Sequence, residues 1–250
     1  TTTTTTTTST STITTAKLRA TNTTTASTFF NVDRARHQRR AVVVYVSQVK
    51  VQVYVAELRW LYESWRVITH ESSTASIDLV VFCHPAAVDA AREAAPLAVF
   101  VPYEPPSSDF LVRYPVAASV QILASNDSTF LENDYDAILR SDTDCFLAPG
   151  LLKFYPPPST VVVSHGAYNI DVRTAHRVVA AARRLHKRHM GHYNLGSSWY
   201  GPPIDLRAIA TETIRITEWL YYNGDWRNVG NQLLASSADS RSRVDAGYNH

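Results

Sequence analysis

Two acidic residues, Asp142 and Asp144, flank a single threonine directly after the apolar run 135–139, which predicts a β-strand. A second pair with the same spacing, Asp134 and Asp136, lies at the entry of that strand. In open α/β sheets, ligands bind outside the carboxyl ends of the strands, so only the later pair is placed to meet one. Both carboxylates could then face a hard divalent cation, since Mg²⁺ takes oxygen ligands and commonly uses one or two carboxylates plus substrate phosphates.

The same acidic pair has a second interpretation, in which the aspartates cap a strand-ending turn and hold no metal. The neighbouring Arg140 suits either case, because a guanidinium could pair with a phosphate or hold a carboxylate in place. If a cation does bind, it would neutralise a diphosphate and stabilise it as a leaving group. Local sequence alone therefore leaves the metal site and the plain turn both open.

Residues 135–150, YDAILRSDTDCFLAPG, resemble the Asp-x-Asp region of GT-A-fold glycosyltransferases. More narrowly, they are similar to a poorly characterised eukaryotic glycosyltransferase-like family that carries a "YDYILRtDvDtFLtP" stretch, a later Gly-Ser-x-Trp-x-Gly stretch and a closing Asn-His. This chain has Gly-Ser-Ser-Trp-Tyr-Gly at 196–201 and Asn-His at 249–250. The resemblance covers roughly residues 41–250, and the departures from it are Cys145 and a looser ending that starts at Asp245.

The resemblance implies a metal-dependent hexosyl or pentosyl transferase that moves a sugar from a UDP- or GDP-linked donor to a hydroxyl group of a glycan or protein. It implies Mn²⁺ or Mg²⁺ as the cofactor, with Asp144 on the ion, Asp142 on the ion or the donor ribose, and His250 as a late third ligand. Ser47, at the end of the first predicted strand, would line the nucleotide base, and Arg140 would complete the donor-binding set.

Candidates for the acceptor side lie later in the chain. Trp199, predicted in a Gly/Pro-rich loop, could stack on an acceptor sugar, because aromatic faces suit the C–H faces of carbohydrates; Gly196 opens the same stretch. The alternative for Trp199 is packing over the core. Asp225 is the candidate catalytic base that an inverting reaction would need, and its alternative role is to cap a turn.

Hydrophobic patterning predicts the elements that would position these residues. Continuous apolar runs predict strands, and apolar residues at three- and four-residue spacing predict helices. The predicted strands are 41–47, 77–83, 97–101, 135–139 and 160–164; the predicted helices are 49–65, 85–95, 117–124 and 172–189. The last sixty residues are predicted to be rich in turns. This alternation predicts an α/β fold, GT-A-like and therefore Rossmann-like, in which helices flank a mostly parallel mixed sheet in a single domain.

Composition separates the chain into two parts and excludes several classes of protein. Residues 1–33 are rich in Thr and Ser and predict a disordered tail, an O-glycosylated stalk or a segment without a role, before a domain at 34–250. The net charge of +2 argues against a nucleic-acid partner, and no apolar run reaches the ~18–20 residues of a membrane span. Two cysteines exclude a disulfide scaffold. The resemblance and the Thr-rich segment favour the secretory pathway lumen, specifically the Golgi, although no targeting signal is visible.

Two rival functions follow from the same residues. The first is a transferase-like domain that binds a ligand or a partner without turnover. The second is a haloacid-dehalogenase-like phosphatase in which Asp142 attacks phosphorus. That scheme usually wants Thr or Val two residues after the second aspartate, where this chain has Phe146.

Overall fold

The computed structural model describes residues 38–70, 77–165, 179–188 and 195–223. Its strands are β1 (Arg40–Val46), β2 (Ile77–Cys83), β3 (Val99–Pro102), β4 (Ala137–Arg140), β5 (Val162–His165) and β6 (Leu195–Gly201). They form one six-stranded sheet in the order β3-β2-β1-β4-β6-β5. The pairs β1–β2, β1–β4 and β2–β3 are parallel, and β6 is antiparallel to β4 and β5, so β6 alone runs against the other described strands.

Helices cover both faces of this sheet. They are α1 (Val51–His70), α2 (Val88–Ala94), α3 (Asp109–Arg113), α4 (Ala118–Ala124), α5 (Phe130–Asp134) and α6 (Pro203–Tyr222), and residues 179–184 are also helical. Short 3₁₀ turns occupy Pro85–Ala87, Pro115–Ala117, Asn126–Ser128 and Pro149–Leu152. The predicted α/β class, a mostly parallel mixed sheet flanked by helices, is confirmed. Within the described ranges, every helix is too short or too polar to cross a membrane.

Strand β1 lies in the middle of the core, and all seven of its residues are buried. Side chains alternate between the two faces of a strand, so a strand covered on both sides must be apolar throughout. One face joins a core cluster with α1 and α2, through Val42, Val44 and Val46. The other face joins a second cluster with α4 and α6, through Ala41, Val43 and Tyr45. The run of valines in the sequence is thus the direct cause of the central position of β1.

The predicted strands and helices of the first half are largely confirmed. The strand over 77–83 has the predicted ends, and β1 lies one residue earlier than predicted. Helix α1 continues five residues past its predicted end at Trp65, because Ile68 returns to the buried face. The predicted helix over 85–95 consists of a 3₁₀ turn and α2, and β4 begins two residues later than the predicted strand.

The prediction for the last part of the chain is wrong in two places. Trp199 lies in strand β6, not in a loop, because residues 199–201 pair with 138–140 of β4. The predicted turn-rich segment also contains the 20-residue helix α6. Pro203 does not break this helix, since proline is well suited to a first helical turn, where its missing N–H has no partner to lose.

The predicted helix over 172–189 ends early. Of its described residues, 179–184 are helical, and His186 has a φ of 51°, in the left-handed region. The N–H of Lys187 donates to the carbonyl of Ala182 at 2.8 Å, and the N–H of His186 donates to that of Arg183 at 3.1 Å. This pair of bonds is a Schellman motif, which satisfies carbonyls at the helix end. Residues 1–33, predicted as a tail, lie outside the described part of the chain.

Candidate functional site

A cleft of about 390 Å³ opens at the carboxyl ends of β1 and β4. Its walls come from the ends of these two strands, the first turns of α1, the start of α4 and one residue of β6. The lining residues are Tyr45, Ser47, Tyr54, Glu57, Pro115, Val116, Ser119, Val120, Arg140, Ser141, Asp142, Thr143, Asp144 and Ser197. The structure therefore brings Ser47, at the end of β1, together with the predicted residues Arg140, Asp142 and Asp144 at the end of β4.

The cleft forms because the two central strands have unequal lengths. Strand β4 pairs with β1 as far as Val43, and one further bond joins the N–H of Ser141 to the carbonyl of Val43 at 3.0 Å. Strand β1 then continues to Val46 without that neighbour. The acidic turn leaves the sheet at this point, which is the position where ligands of open α/β sheets bind.

Arg140 forms hydrogen bonds with three parts of the cleft wall: the acidic turn, α4 and β6. Its side chain is buried, and Nη2 donates to Oδ1 of Asp142 at 3.0 Å. Nη2 also donates to the hydroxyl of Ser119 on α4, and Nη1 donates to the main-chain carbonyl of Ser197 on β6. The guanidinium carbon lies 5.8 Å from the ring centroid of Trp199. Of the two roles predicted for Arg140, holding a carboxylate is the one that this geometry shows.

The two acids themselves remain accessible. The Asp142 side chain is 41% exposed despite its ion pair, and Asp144 is exposed. Thr143, between them, is buried, and its hydroxyl donates to Oε2 of Glu57 at 2.7 Å. Burial lowers the pKa of the Arg140 guanidinium, and the nearby Asp142 carboxylate opposes that shift.

The electrostatics of the cleft are dominated by negative charge. The pKa of Tyr54 is raised, first by burial and then by the carboxylates of Glu57, Asp142 and Asp144. Its phenol therefore stays protonated and can donate a hydrogen bond into the cleft. Burial likewise raises the pKa of Tyr45 to about 12.

Several predicted site residues are not part of this cleft as the structure describes it. Trp199 is partly buried against the second core cluster, and Gly196 lies in β6. Asp225 and His250 lie outside the described residues. The roles of these four residues stay predictions. Among the described residues, no group of three or more His, Cys, Asp or Glu is placed to hold one metal ion.

Sequence reasoning missed Tyr54, Glu57 and Ser119. Tyr54 and Glu57 are three residues apart on the helix that follows β1, so they share a face near the carboxyl end of the sheet. Their position after the first strand was the available signal. Ser119 carried no signal, because its place beside Arg140 depends on how α4 packs. Two residues after Asp144, the exposed ring of Phe146 stacks on that of Trp60, with centroids 6.4 Å apart.

Residues 34–228 match the model of a protein family, Domain of unknown function (DUF7164). The chain belongs to this family. The fourteen described residues that line the cleft all fall within the matched part of this DUF7164 member, as does Asp225, whereas His250 falls beyond it. None of the curated proteins compared with the chain matches it.

Two solved structures are similar to this DUF7164 member. One is the galactosyltransferase LgtC in complex with donor and acceptor sugar analogues, with 14% identity, a TM-score of 0.45, and coverage of 75% of this chain and 65% of that one. The other is 4-diphosphocytidyl-2C-methyl-D-erythritol synthase from Anaerococcus prevotii DSM 20548, with 6% identity, a TM-score of 0.38, and coverage of 71% and 77%. The chain thus spans less than two thirds of the galactosyltransferase. With TM-scores below 0.5, neither similarity decides the activity, which must be argued from the cleft.

Proposed function

We propose that this DUF7164 member is a metal-dependent glycosyltransferase that binds a UDP- or GDP-linked sugar in the cleft and transfers the sugar to a hydroxyl group. The observation that carries the proposal is the convergence of Ser47, Arg140, Asp142 and Asp144 in one cleft at the carboxyl ends of β1 and β4. A volume of about 390 Å³ is within the range of ligand pockets and suits the nucleotide part of a donor.

The chemistry of the acidic pair fits a divalent cation. Asp142 and Asp144 offer carboxylate oxygens to the cleft, and Mg²⁺ or Mn²⁺ commonly binds one or two carboxylates while phosphates and water fill the other positions. Asp142 and Asp144 would be two of its ligands, and His250 is the proposed third. Such a cation would neutralise the diphosphate and make it a better leaving group.

The protein's own residues would position the donor for this chemistry. Arg140 keeps Asp142 oriented through their ion pair, and it links that carboxylate to α4 and β6. The protonated Tyr54 phenol and the Ser47 hydroxyl offer hydrogen bonds on the wall formed by β1 and α1. Because Arg140 lies on β4 and Tyr54 on α1, these two groups have fixed positions around the ligand.

Calorimetry of nucleotide binding tests the proposal. UDP and GDP are titrated, with and without Mn²⁺, into the wild-type chain, Asp144→Asn and Asp134→Asn. Asp134 belongs to the other acidic pair and is exposed, so it is a matched control. We expect binding of one nucleotide that requires Mn²⁺, is weakened at least about tenfold in Asp144→Asn, and is unchanged in Asp134→Asn. Absence of nucleotide binding by a folded wild-type chain would contradict the proposal.

Turnover separates a transferase from a domain that only binds. UDP- and GDP-linked sugars are incubated with the chain and Mn²⁺, and the free nucleotide released is measured. An active transferase releases nucleotide by slow donor hydrolysis even without its acceptor, and Asp144→Asn abolishes that release. Tight metal-dependent binding with no release from any donor would favour the non-catalytic alternative.

A further inference from the structure

Helix α1 holds the acidic turn at two points. Glu57 accepts the hydroxyl hydrogen bond of Thr143 at 2.7 Å, and the hydroxyl of Ser64 accepts a bond from the N–H of Leu147 at 3.0 Å. Glu57 and Ser64 are seven residues apart, so they lie on the same face of the helix two turns from each other. The turn that carries Asp142 and Asp144 is thus fixed from the side by α1, as well as from below by Arg140.

The contact at Thr143 restricts the backbone between the two acids. Thr143 is 3% exposed, whereas Asp144 is exposed and the Asp142 side chain is 41% exposed. Thr143 lies between the two aspartates in the turn, and all three residues line the cleft. A hydrogen bond that holds the Thr143 side chain against α1 therefore constrains the backbone that carries both carboxylates.

A neutral acceptor such as glutamine could hold Thr143 equally well, yet the helix carries a carboxylate there. Among the described residues that line the cleft, Glu57, Asp142 and Asp144 are acidic and Arg140 alone is basic. This set has two negative charges in excess, and like charges placed together are unfavourable unless something compensates them. A divalent cation supplies the compensating charge.

We propose that Glu57 is a positioning residue for the metal site: it holds Thr143, thereby orients Asp142 and Asp144, and adds negative charge that favours a divalent cation. Glu57 is not assigned as a third ligand, because no three such groups among the described residues are placed to share an ion. The inference rests on the proposed function, since it concerns the cation of that cleft. Partners of metal ligands commonly influence affinity in this way, because they fix ligand orientation.

Mn²⁺ binding provides the test, measured from the electron paramagnetic resonance signal of free Mn²⁺ with the full chain. The variants are Glu57→Gln, Thr143→Val, Thr143→Ser and the double change Glu57→Gln with Thr143→Val. Glu63→Gln is the matched control, because Glu63 is exposed on the same helix and pairs with Arg66. Thermal unfolding of each variant shows whether it remains folded.

We expect Glu57→Gln and Thr143→Val each to weaken Mn²⁺ binding about tenfold, as changes to the partners of metal ligands typically do. The double variant should lose about the product of the two single effects, because Glu57→Gln removes the negative charge but keeps an acceptor for Thr143, whereas Thr143→Val removes the hydrogen bond. Thr143→Ser keeps the hydroxyl and should stay within about twofold of the wild type, as should Glu63→Gln. Rescue by serine distinguishes positioning from a general loss of packing.

Two results would overturn the inference, and they differ in what they say of the proposed function. If the wild type binds Mn²⁺ but folded Glu57→Gln and Thr143→Val bind it equally well, Glu57 has no positioning role and the transferase proposal stands. If the folded wild type binds no Mn²⁺, even with UDP or GDP present, both the inference and the metal-dependent function fail.

Discussion

Arg40 and Arg140 are both buried guanidinium groups on neighbouring central strands, but they lie at opposite ends of the sheet. Arg40 donates to the main-chain carbonyls of Leu151 at 2.9 Å and Phe154 at 3.3 Å, and to the Tyr200 hydroxyl at 3.4 Å. All of these partners are neutral; Tyr200 is buried, Leu151 is partly buried and Phe154 is exposed. At this amino end of the strands, the Arg40 guanidinium thus binds the 3₁₀ turn Pro149–Leu152 to the start of β1.

Arg140 has a different set of partners at the carboxyl end. One of them, Asp142, is a carboxylate that faces the cleft, and the others belong to elements that form the cleft walls. The two acidic pairs follow the same division. Asp136, at the amino end, accepts a bond from the N–H of Arg39 at 2.9 Å, whereas Asp144, at the carboxyl end, lines the cleft. The two Asp-x-Asp pairs therefore differ in their contacts, because they lie at opposite ends of strand β4.

Replacing the amino-end arginine should mainly affect stability. Arg40→Met removes a fully buried guanidinium that donates to several partly buried carbonyl groups, so we expect the free energy of unfolding to fall by about 3 kcal/mol. Urea unfolding followed by circular dichroism measures this change. Arg39→Met is the control, since the exposed Arg39–Asp78 pair is worth at most about 1 kcal/mol. Equal stability of Arg40→Met and the wild type would show that the hydrogen bonds of Arg40 do not stabilise the fold.

Strand β6 runs between the two ends of the sheet: Ser197 lines the cleft, and Gly201 pairs with Ile138 of β4 away from it. A change at Gly201 should therefore affect stability and not binding. A Cβ at Gly201 would lie 2.9 Å from the carbonyl oxygen of Thr160 and from Cγ2 of Val161. Overpacking of this kind typically costs about 1–3 kcal/mol, so Gly201→Ala should lower the unfolding free energy by about 2 kcal/mol while folded protein still binds nucleotide.

Gly150→Ala is the matched control for this change. A Cβ at Gly150 meets no atom within 4 Å, so that variant should keep wild-type stability. A loss of nucleotide binding by folded Gly201→Ala would instead place the end of β6 in the binding site.

At the carboxyl end, Arg140→Lys should affect binding more than folding. Lysine keeps the positive charge, but its compact ammonium cannot reproduce the fixed fork that contacts Asp142, Ser119 and Ser197 together. We expect Mn²⁺-dependent nucleotide binding, measured by calorimetry, to weaken about tenfold, which corresponds to ~1.4 kcal/mol. Arg207→Lys changes a partly buried arginine elsewhere and should bind normally. Full affinity in Arg140→Lys would mean that the guanidinium fork does not orient the acidic turn.

The two cysteines allow a smaller effect to be measured, namely how far a bound ligand protects the acidic turn from alkylation. Burial raises the pKa of the Cys83 thiol to about 11, whereas Cys145 is half-buried with its Sγ 3.9 Å from Oδ1 of Asp144. Iodoacetamide at pH 8 should therefore modify Cys145 and spare Cys83, because the thiolate is the reactive form. Nucleotide with Mn²⁺ should slow modification of Cys145 about threefold by covering the acidic turn. An unchanged rate at saturating nucleotide would move the ligand away from this turn.

Much of the fold could be predicted because the core strands are apolar on both faces. The runs 41–47 and 77–83 have no other stable environment than the middle of a covered sheet. Helix α6 was missed because Pro202 and Pro203 resemble a break, although proline fits a helix start. Trp199 was misplaced because its neighbouring glycines suggested a loop, whereas pairing with β4 made it a strand.

The candidate site could be predicted in part, because some of its residues directly follow a predicted strand. The order of strand and acids along the chain was enough to choose Asp142 and Asp144 over the earlier pair, and both line the cleft. The contact of Glu57 with Thr143 could not be found in this way, since it joins residues 86 positions apart. Such contacts depend on tertiary packing, which the local pattern of a helix does not encode.

Crystals grown with Mn²⁺ and whichever of UDP or GDP binds more tightly would test the central claim most directly. Anomalous scattering locates manganese without reference to any assumed ligand. We predict a single strong peak within about 2.2 Å of carboxylate oxygens of the Asp142–Asp144 turn, with the diphosphate on its other side. A peak at Asp134 and Asp136, or nucleotide bound in the cleft with no manganese beside the turn, would contradict the assignment of the metal site.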